Sequence, residues 1–156
     1  MDVFAPTPDG MIAQTIQLAL APVFVLVAIG SIIATLTQRL GRVVDRSREL
    51  QQRHGNTEGM EHDMIVREIR SLDRRILLIG RAMRFLVVAS LMVGVTVVLL
   101  FVQGFLAVSL SLAVAGTFIL AIALLMSALL TFLRETQEAT KALRIPEEFL
   151  EKEREL

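Results

Sequence analysis

The chain has 156 residues, enough for one domain, and its 16 basic residues are balanced by 16 acidic ones. It contains no cysteine, which excludes disulfides and thiolate metal sites. The charges are separated from the apolar residues, since residues 11–36 and 85–133 carry no charged side chain. About twenty apolar residues cross a bilayer, and core helices of soluble proteins have shorter uninterrupted apolar runs. The pattern therefore predicts an all-α integral membrane protein.

The first apolar run predicts a transmembrane helix over residues 12–36, after an N-terminal tail of residues 1–11. One face of this helix carries small or polar residues at steps of three and four: Gln14, Gln17, Ala21, Phe24, Ala28, Ser31, Thr35 and Gln38. We favour close packing against the other two spans, for which small and hydroxyl side chains are the usual means. The alternative is a pore lined by this face in an oligomer, with Phe24 as a hydrophobic constriction.

Residues 37–84 combine heptad stripes of apolar side chains with many charges, which predicts two long helices. The first stripe is Leu36, Leu40, Val43, Ser47 and Leu50; the second is Ile65, Ile69, Leu72, Ile76, Ile79, Met83 and Leu86. The loop HGNTEG at residues 54–59 separates them. We therefore expect an antiparallel, coiled-coil-like helical hairpin. The stripes either meet each other or meet a second subunit; the pattern leaves this open.

The hairpin also predicts ion pairs between its arms. Folding the chain about residue 57 brings Asp45 near Arg70 and Arg42 near Asp73, so these four residues form a cross-link on one interpretation. On the other they are solvated surface charges, each pair worth well under ~1 kcal/mol.

The second apolar block, residues 85–133, is too long for one span and predicts two transmembrane helices. The turn between them is placed within residues 103–111. Gln103 and Gly104 are the best local breakers, whereas the midpoint between Arg84 and Arg134 is near residue 109. Residues 134–156 then form a C-terminal helix and an acidic tail, EEFLEKEREL, that either docks on the hairpin or is disordered.

The basic residues indicate the orientation in the membrane. Eleven lie in residues 37–84 and five in residues 134–156, with none in the N-terminal tail or the turn at 103–111. Because basic segments stay in the cytoplasm, three spans place the N-terminus in the periplasm and the hairpin and C-terminus in the cytoplasm. Five arginines at the span ends are expected to contact anionic lipid of the inner leaflet: Arg39, Arg42, Arg81, Arg84 and Arg134.

The junction between the first span and the hairpin resembles a family of short bacterial inner-membrane proteins of unknown function. That family has a first span ending in arginine-leucine-x-arginine-x-x-aspartate-arginine, which Arg39, Leu40, Arg42, Asp45 and Arg46 match. The segment FLRETQEATKALR, residues 132–144, is similar to the family's closing motif. The resemblance implies three spans in a bacterial inner membrane and implies no activity, substrate or site.

The sequence contains few residues in patterns that are typical of a catalytic or metal-binding site. Glu58 and His62 have an i, i+4 spacing that a metal ion could bridge, but a loop followed by helix-capping acids explains them better. We predict no metal, cofactor, nucleic-acid partner or catalytic residue, and hence no enzyme. The expected function is that of a homo-oligomeric structural or interaction protein, with a cytoplasmic protein partner as an open option. The alternative is an oligomeric ion channel lined by the first-span face.

Overall fold

The computed structural model describes residues 8–55, 57–106 and 109–142. They form three helices: α1 (Pro8–His54), α2 (Gly59–Leu106) and α3 (Ser111–Ala142). All three are long and apolar enough to cross a membrane, which confirms the predicted all-helical membrane fold. The acidic tail and most of the N-terminal tail lie outside the described residues.

The first two helices are much longer than a bilayer is thick. α1 has 47 residues and α2 has 48. At 1.5 Å per residue each is ~70 Å long, against a hydrocarbon core of about 30 Å. Each therefore contains a membrane-crossing half and a charged half that continues without a break beyond it; the charged halves are called the arms below.

The ends of the helices fall where the sequence places its breakers. α1 ends at His54 and α2 begins at Gly59, whose φ of +66° lies in the left-handed region that glycine adopts most easily. α2 ends at Leu106 and α3 begins at Ser111, inside the range 103–111.

α2 is the central helix and packs against α1 and α3. The two arms bury heptad positions of both stripes in one cluster: Leu36, Val43 and Leu50 from α1 with Ile65, Leu72 and Ile79 from α2. The two stripes predicted from the sequence are thus buried within one chain, where the pattern left a second subunit open. This seam holds the arms in a fixed register.

Small side chains bring α2 and α3 close together. Ala82 and Ala89 of α2 and Ala121 and Ala128 of α3 are buried in the same cluster. Small residues are the usual means by which membrane helices approach each other closely. Farther along the same pair of helices, the hydroxyl oxygens of Thr96 and Thr117 lie 3.0 Å apart.

Candidate functional site

Glu135 of α3 is a fully buried carboxylate, with 0% of its surface exposed. It continues the buried stripe of α3, because Ala121, Ala128 and Glu135 follow each other at intervals of seven residues. The heptad spacing places the two alanines on the side of α3 that is buried against the other helices. It therefore places the Glu135 carboxylate on that same side.

Two arginines from the other helices satisfy this carboxylate. Arg39 of α1 donates from Nη2 to Glu135 Oε2 over 2.8 Å, and Arg75 of α2 donates from Nε to Oε1 over 3.1 Å. The Arg39 guanidinium carbon also lies 5.2 Å from the centre of the Phe132 ring, within reach of a cation–π contact. Arg39, Arg75 and Glu135 are called the three-helix junction below.

The junction depends on all three of its members. A carboxylate removed from water is strongly unfavourable unless it is paired and hydrogen-bonded, and here each oxygen accepts from a different guanidinium. Arg39 and Arg75 directly precede the stripe residues Leu40 and Ile76, so both flank the α1–α2 seam. The junction therefore joins α3 to the point where the arms begin.

A groove of about 730 Å³ lies beside the junction, between the arms. Its charged lining consists of five arginines and one acid: Arg39, Arg42, Arg46, Arg67, Arg75 and Glu68. This arginine groove holds much of the positive charge of the arms in one concave surface.

Arg46 lies at the centre of a network along the groove. It donates from Nε to Glu68 of α2 over 2.8 Å and from Nη1 to Glu49 over 2.9 Å. Arg53 donates to the other oxygen of Glu49 over 2.7 Å. The hydrogen bond from Arg46, followed by the attraction of its charge, lowers the pKa of Glu49. The hydrogen bonds to Glu68 and Glu49 raise the pKa of Arg46 in turn.

The structure does not bring together the ion pairs expected between Asp45 and Arg70 and between Arg42 and Asp73. All four side chains are exposed, and none has an ion pair within 4 Å in the part of the chain that is described. The reason is geometric. Asp45 follows the seam residue Val43 by two positions, which is about 200° around the helix, so it lies on the far side of α1.

The arms are nonetheless close to the expected register. The observed cross-link joins Arg46 to Glu68, each displaced by no more than two positions from the expected pair. The family-motif residues Arg39 and Arg46 thus both make ion pairs with another helix. Glu135, Arg75, Arg67 and Glu68 are not singled out by the sequence patterns above. The interval of seven from Ala121 through Ala128 to Glu135 is the signal that could have found the buried acid.

The polar and small face of α1 is exposed along its whole length. All eight of its residues are exposed, and Phe24 is 69% exposed, although Ala21 also lines a cavity of about 350 Å³ that it shares with Thr96 of α2 and Phe118 of α3. Packing against the other two spans of the same chain, the interpretation favoured from the sequence, therefore does not account for this face. It is available to lipid or to another molecule.

The two histidines lie together where α1 ends and α2 begins. The ring centres of His54 and His62 are 4.4 Å apart, with the planes tilted by 52°. Among the described residues no group of three or more histidines and acids is arranged to hold a metal ion. Glu58, four residues before His62 in the chain, is exposed.

Neither the curated proteins nor the solved structures gave a match to this chain. A family model does match, over residues 19–145, and its description is "Protein of unknown function (DUF2721)". The matched range runs from the first span through all of the arms and the three-helix junction. This chain therefore belongs to the DUF2721 family.

Proposed function

We propose that this protein is a non-enzymatic, homo-oligomeric scaffold of the bacterial inner membrane that presents its paired arms to the cytoplasm. The observation that supports this proposal is the face of α1 that stays exposed in the part of the chain that the structure describes. Glu135, the buried acid among the described residues, pairs with arginines of two other helices. This pairing supports a structural role for the acid rather than a catalytic one.

A second copy of the chain suits the α1 face. The face is uncharged, so two copies do not repel each other, and the amides of Gln14, Gln17 and Gln38 both donate and accept hydrogen bonds. Ala28 and Ser31 are small enough for two backbones to approach closely. A two-fold axis then places the same residues against each other, as in most homodimers.

Cysteine cross-linking tests this assembly, because the natural chain contains no cysteine. Ser31→Cys in native membranes should give disulfide-linked dimers on oxidation, since facing residues come within the ~4.4–6.8 Å between Cα atoms that a disulfide spans. Ala34→Cys is the matched control: it is exposed on the same helix but lies outside the polar face. Equal yields from both positions, or no dimer from Ser31→Cys, would refute the assembly.

The cytoplasmic orientation of the arms is part of the same proposal. It is supported by the sixteen basic residues, all of which lie in residues 37–84 and 134–156. A Thr57→Cys variant should be protected from a membrane-impermeant maleimide in intact spheroplasts and labelled after lysis. Labelling of Thr57→Cys from outside intact spheroplasts would show that the arms face the periplasm and would refute this orientation.

An oligomeric ion channel is the second candidate, and the same exposed face supports it. Gln14, Ser31 and Gln38 would line a narrow uncharged path if several copies surrounded an axis, with Phe24 as its constriction. The scaffold is preferred because two copies suffice to cover the face, whereas a pore requires a closed ring. A cytoplasmic protein partner, bound by the arms, is compatible with either proposal.

A further inference from the structure

The arginine groove carries more positive charge than its acids compensate. Five guanidiniums line it: Arg39, Arg42, Arg46, Arg67 and Arg75. Three carboxylates pair with these guanidiniums, namely Glu49, Glu68 and Glu135. Three of the five guanidiniums therefore have a carboxylate partner, and two have none among the described residues.

The uncompensated charge can be assigned to two residues. Arg39 and Arg75 are held by Glu135, and Arg46 is held by Glu68 and Glu49. Arg42 and Arg67 line the same groove from opposite arms, and neither makes an ion pair or hydrogen bond among the described residues. Both are exposed to solvent. The groove thus offers two free guanidinium forks beside three that are already fixed in place.

The groove lies at a defined depth. Arg39 comes three residues after Leu36, the last residue of the first apolar run, and Arg46 comes seven residues later. At 1.5 Å per residue the groove begins about 5 Å beyond the apolar span and extends for about 10 Å more. Lipid headgroups occupy about 5–8 Å on each side of the hydrocarbon core, so the Arg39 end of the groove lies at their depth and the Arg46 end lies beyond them.

We propose that the arginine groove binds a phosphate group, with Arg42 and Arg67 as its main contacts. A guanidinium matches two phosphate oxygens with two parallel N–H donors, and it is less strongly hydrated than an ammonium group. Ser71, which also lines the groove, adds a hydroxyl donor. Because the Arg39 end of the groove borders the headgroup layer, the headgroup of an anionic phospholipid is the favoured source of the phosphate, and a soluble phosphorylated compound is the other source of the same chemistry.

The fixed and free arginines have different parts in this site. Glu135, Glu68 and Glu49 hold three guanidiniums in position before any ligand arrives, which reduces the entropy lost on binding. The two free arginines then supply the charge that the ligand neutralises. The difference between fixed and free arginines makes the site testable. Arg42 and Arg67 are the two groove arginines that can be removed without breaking an ion pair among the described residues.

The test compares full-length wild type with two double variants in detergent, following unfolding by circular dichroism because the chain has no Trp or Tyr. Arg42→Gln/Arg67→Gln removes the free arginines of the groove. Arg70→Gln/Arg74→Gln is the matched control, since it removes two exposed arginines of α2 that do not line the groove and make no ion pair among the described residues. Neither variant removes a partner of a buried acid, so both are expected to keep the wild-type Tm without ligand.

Two ligands distinguish the two sources of phosphate. One arm adds phosphatidylglycerol, with phosphatidylcholine of the same chains as its control; the other adds inorganic pyrophosphate, with sodium chloride at equal ionic strength. A ligand that binds the folded protein raises Tm. We expect phosphatidylglycerol to raise the Tm of wild type and of the Arg70/Arg74 control. We expect its apparent affinity to fall about tenfold or more in the Arg42/Arg67 variant, as two charge-assisted contacts are lost.

Each outcome bears on the proposal. Stabilisation by phosphatidylglycerol alone assigns the site to lipid, and stabilisation by pyrophosphate alone assigns it to a soluble compound. An equal loss of affinity in both double variants would refute the groove as a site, because the effect would then be general surface attraction. Failure of both ligands to exceed their controls in wild type would refute it as well.

Discussion

Arg39 and Glu135 are 96 residues apart in the chain and form a 2.8 Å ion pair in which the carboxylate is completely buried. Arg75 binds the second oxygen of the same carboxylate, so the ion pair links all three helices. The stability of the fold is therefore expected to depend on Glu135 more than on any acid of the exposed arm surface.

Glu135→Gln tests this dependence. The amide keeps the shape of the side chain but leaves two partly buried guanidiniums without a counter-charge, and breaking a buried pair in this way costs about 3 kcal/mol or more. Thermal unfolding of the purified protein should show a clear fall in Tm. Asp73→Asn is the matched control, because it removes one exposed acid and should leave Tm nearly unchanged. Equal effects of the two substitutions would contradict a structural role for the junction.

The sequence predicts the helices and the seam well, because both follow from periodicity. Charge-free runs of bilayer length and heptad stripes such as Leu36, Val43 and Leu50 are local patterns, and the structure buries these three residues. The ion-pair partner of a charged residue cannot be read from such a local pattern, because it depends on how the helices are rotated against each other. Asp45 and Arg46 are neighbours in the sequence, yet only Arg46 flanks the seam, and a rotation of 100° about the helix decides between them.

Glu135 shows that the position of a charged residue in the sequence does not determine whether its side chain is buried. It is the second residue after an apolar run, where an acid is ordinarily a solvated end of a span. Its burial depends on which face α3 turns toward α2, and on arginines from two other helices arriving at the same depth. The exposure of the first-span face has the same origin: the sequence shows that a small and polar face exists, but not which helix lies against it.

The cross-link between the arms can be measured by a double-mutant cycle on Arg46 and Glu68. Their side chains are each 43% exposed, so we expect a coupling energy of about 0.2–1 kcal/mol. Charge reversal at both positions, Arg46→Glu with Glu68→Arg, should recover part of what each single change loses. The free energy of unfolding is obtained by titration with a denaturing detergent.

The same cycle on Asp45 and Arg70 is the control, since these two residues make no ion pair in the described chain. Its coupling energy should be indistinguishable from zero. A larger coupling for Asp45 and Arg70 than for Arg46 and Glu68 would show that the arms pair through another face.

The titration of Glu49 reports on the same network. The hydrogen bond from Arg46 lowers the pKa of this carboxyl in the folded protein. The stabilising contribution of the pair is therefore complete above the ordinary glutamate pKa, and it is lost as the pH falls through the lower folded value. Carbon-13 NMR of the Glu49 carboxyl should give a midpoint that rises in Arg46→Gln. Arg53→Gln should raise it less, because the attraction of Arg53 is the smaller cause. If the titration midpoint of Glu49 is the same in wild type and in Arg46→Gln, then Arg46 does not bind Glu49 in solution.

Ion flux through purified protein in liposomes decides between a scaffold and a channel. If the α1 face lines a conduction path, Phe24→Ala should raise the flux by widening the constriction, and Ser31→Phe should abolish it. Ala34→Phe adds the same bulk to an exposed position outside the face and should leave the flux of wild type unchanged. Flux no greater than that of empty liposomes, in wild type and in Phe24→Ala alike, would remove the channel from consideration. Cross-linking at Ser31→Cys in that same protein would then assign the exposed face to contact between copies, since a face that joins two chains needs no path for ions between them.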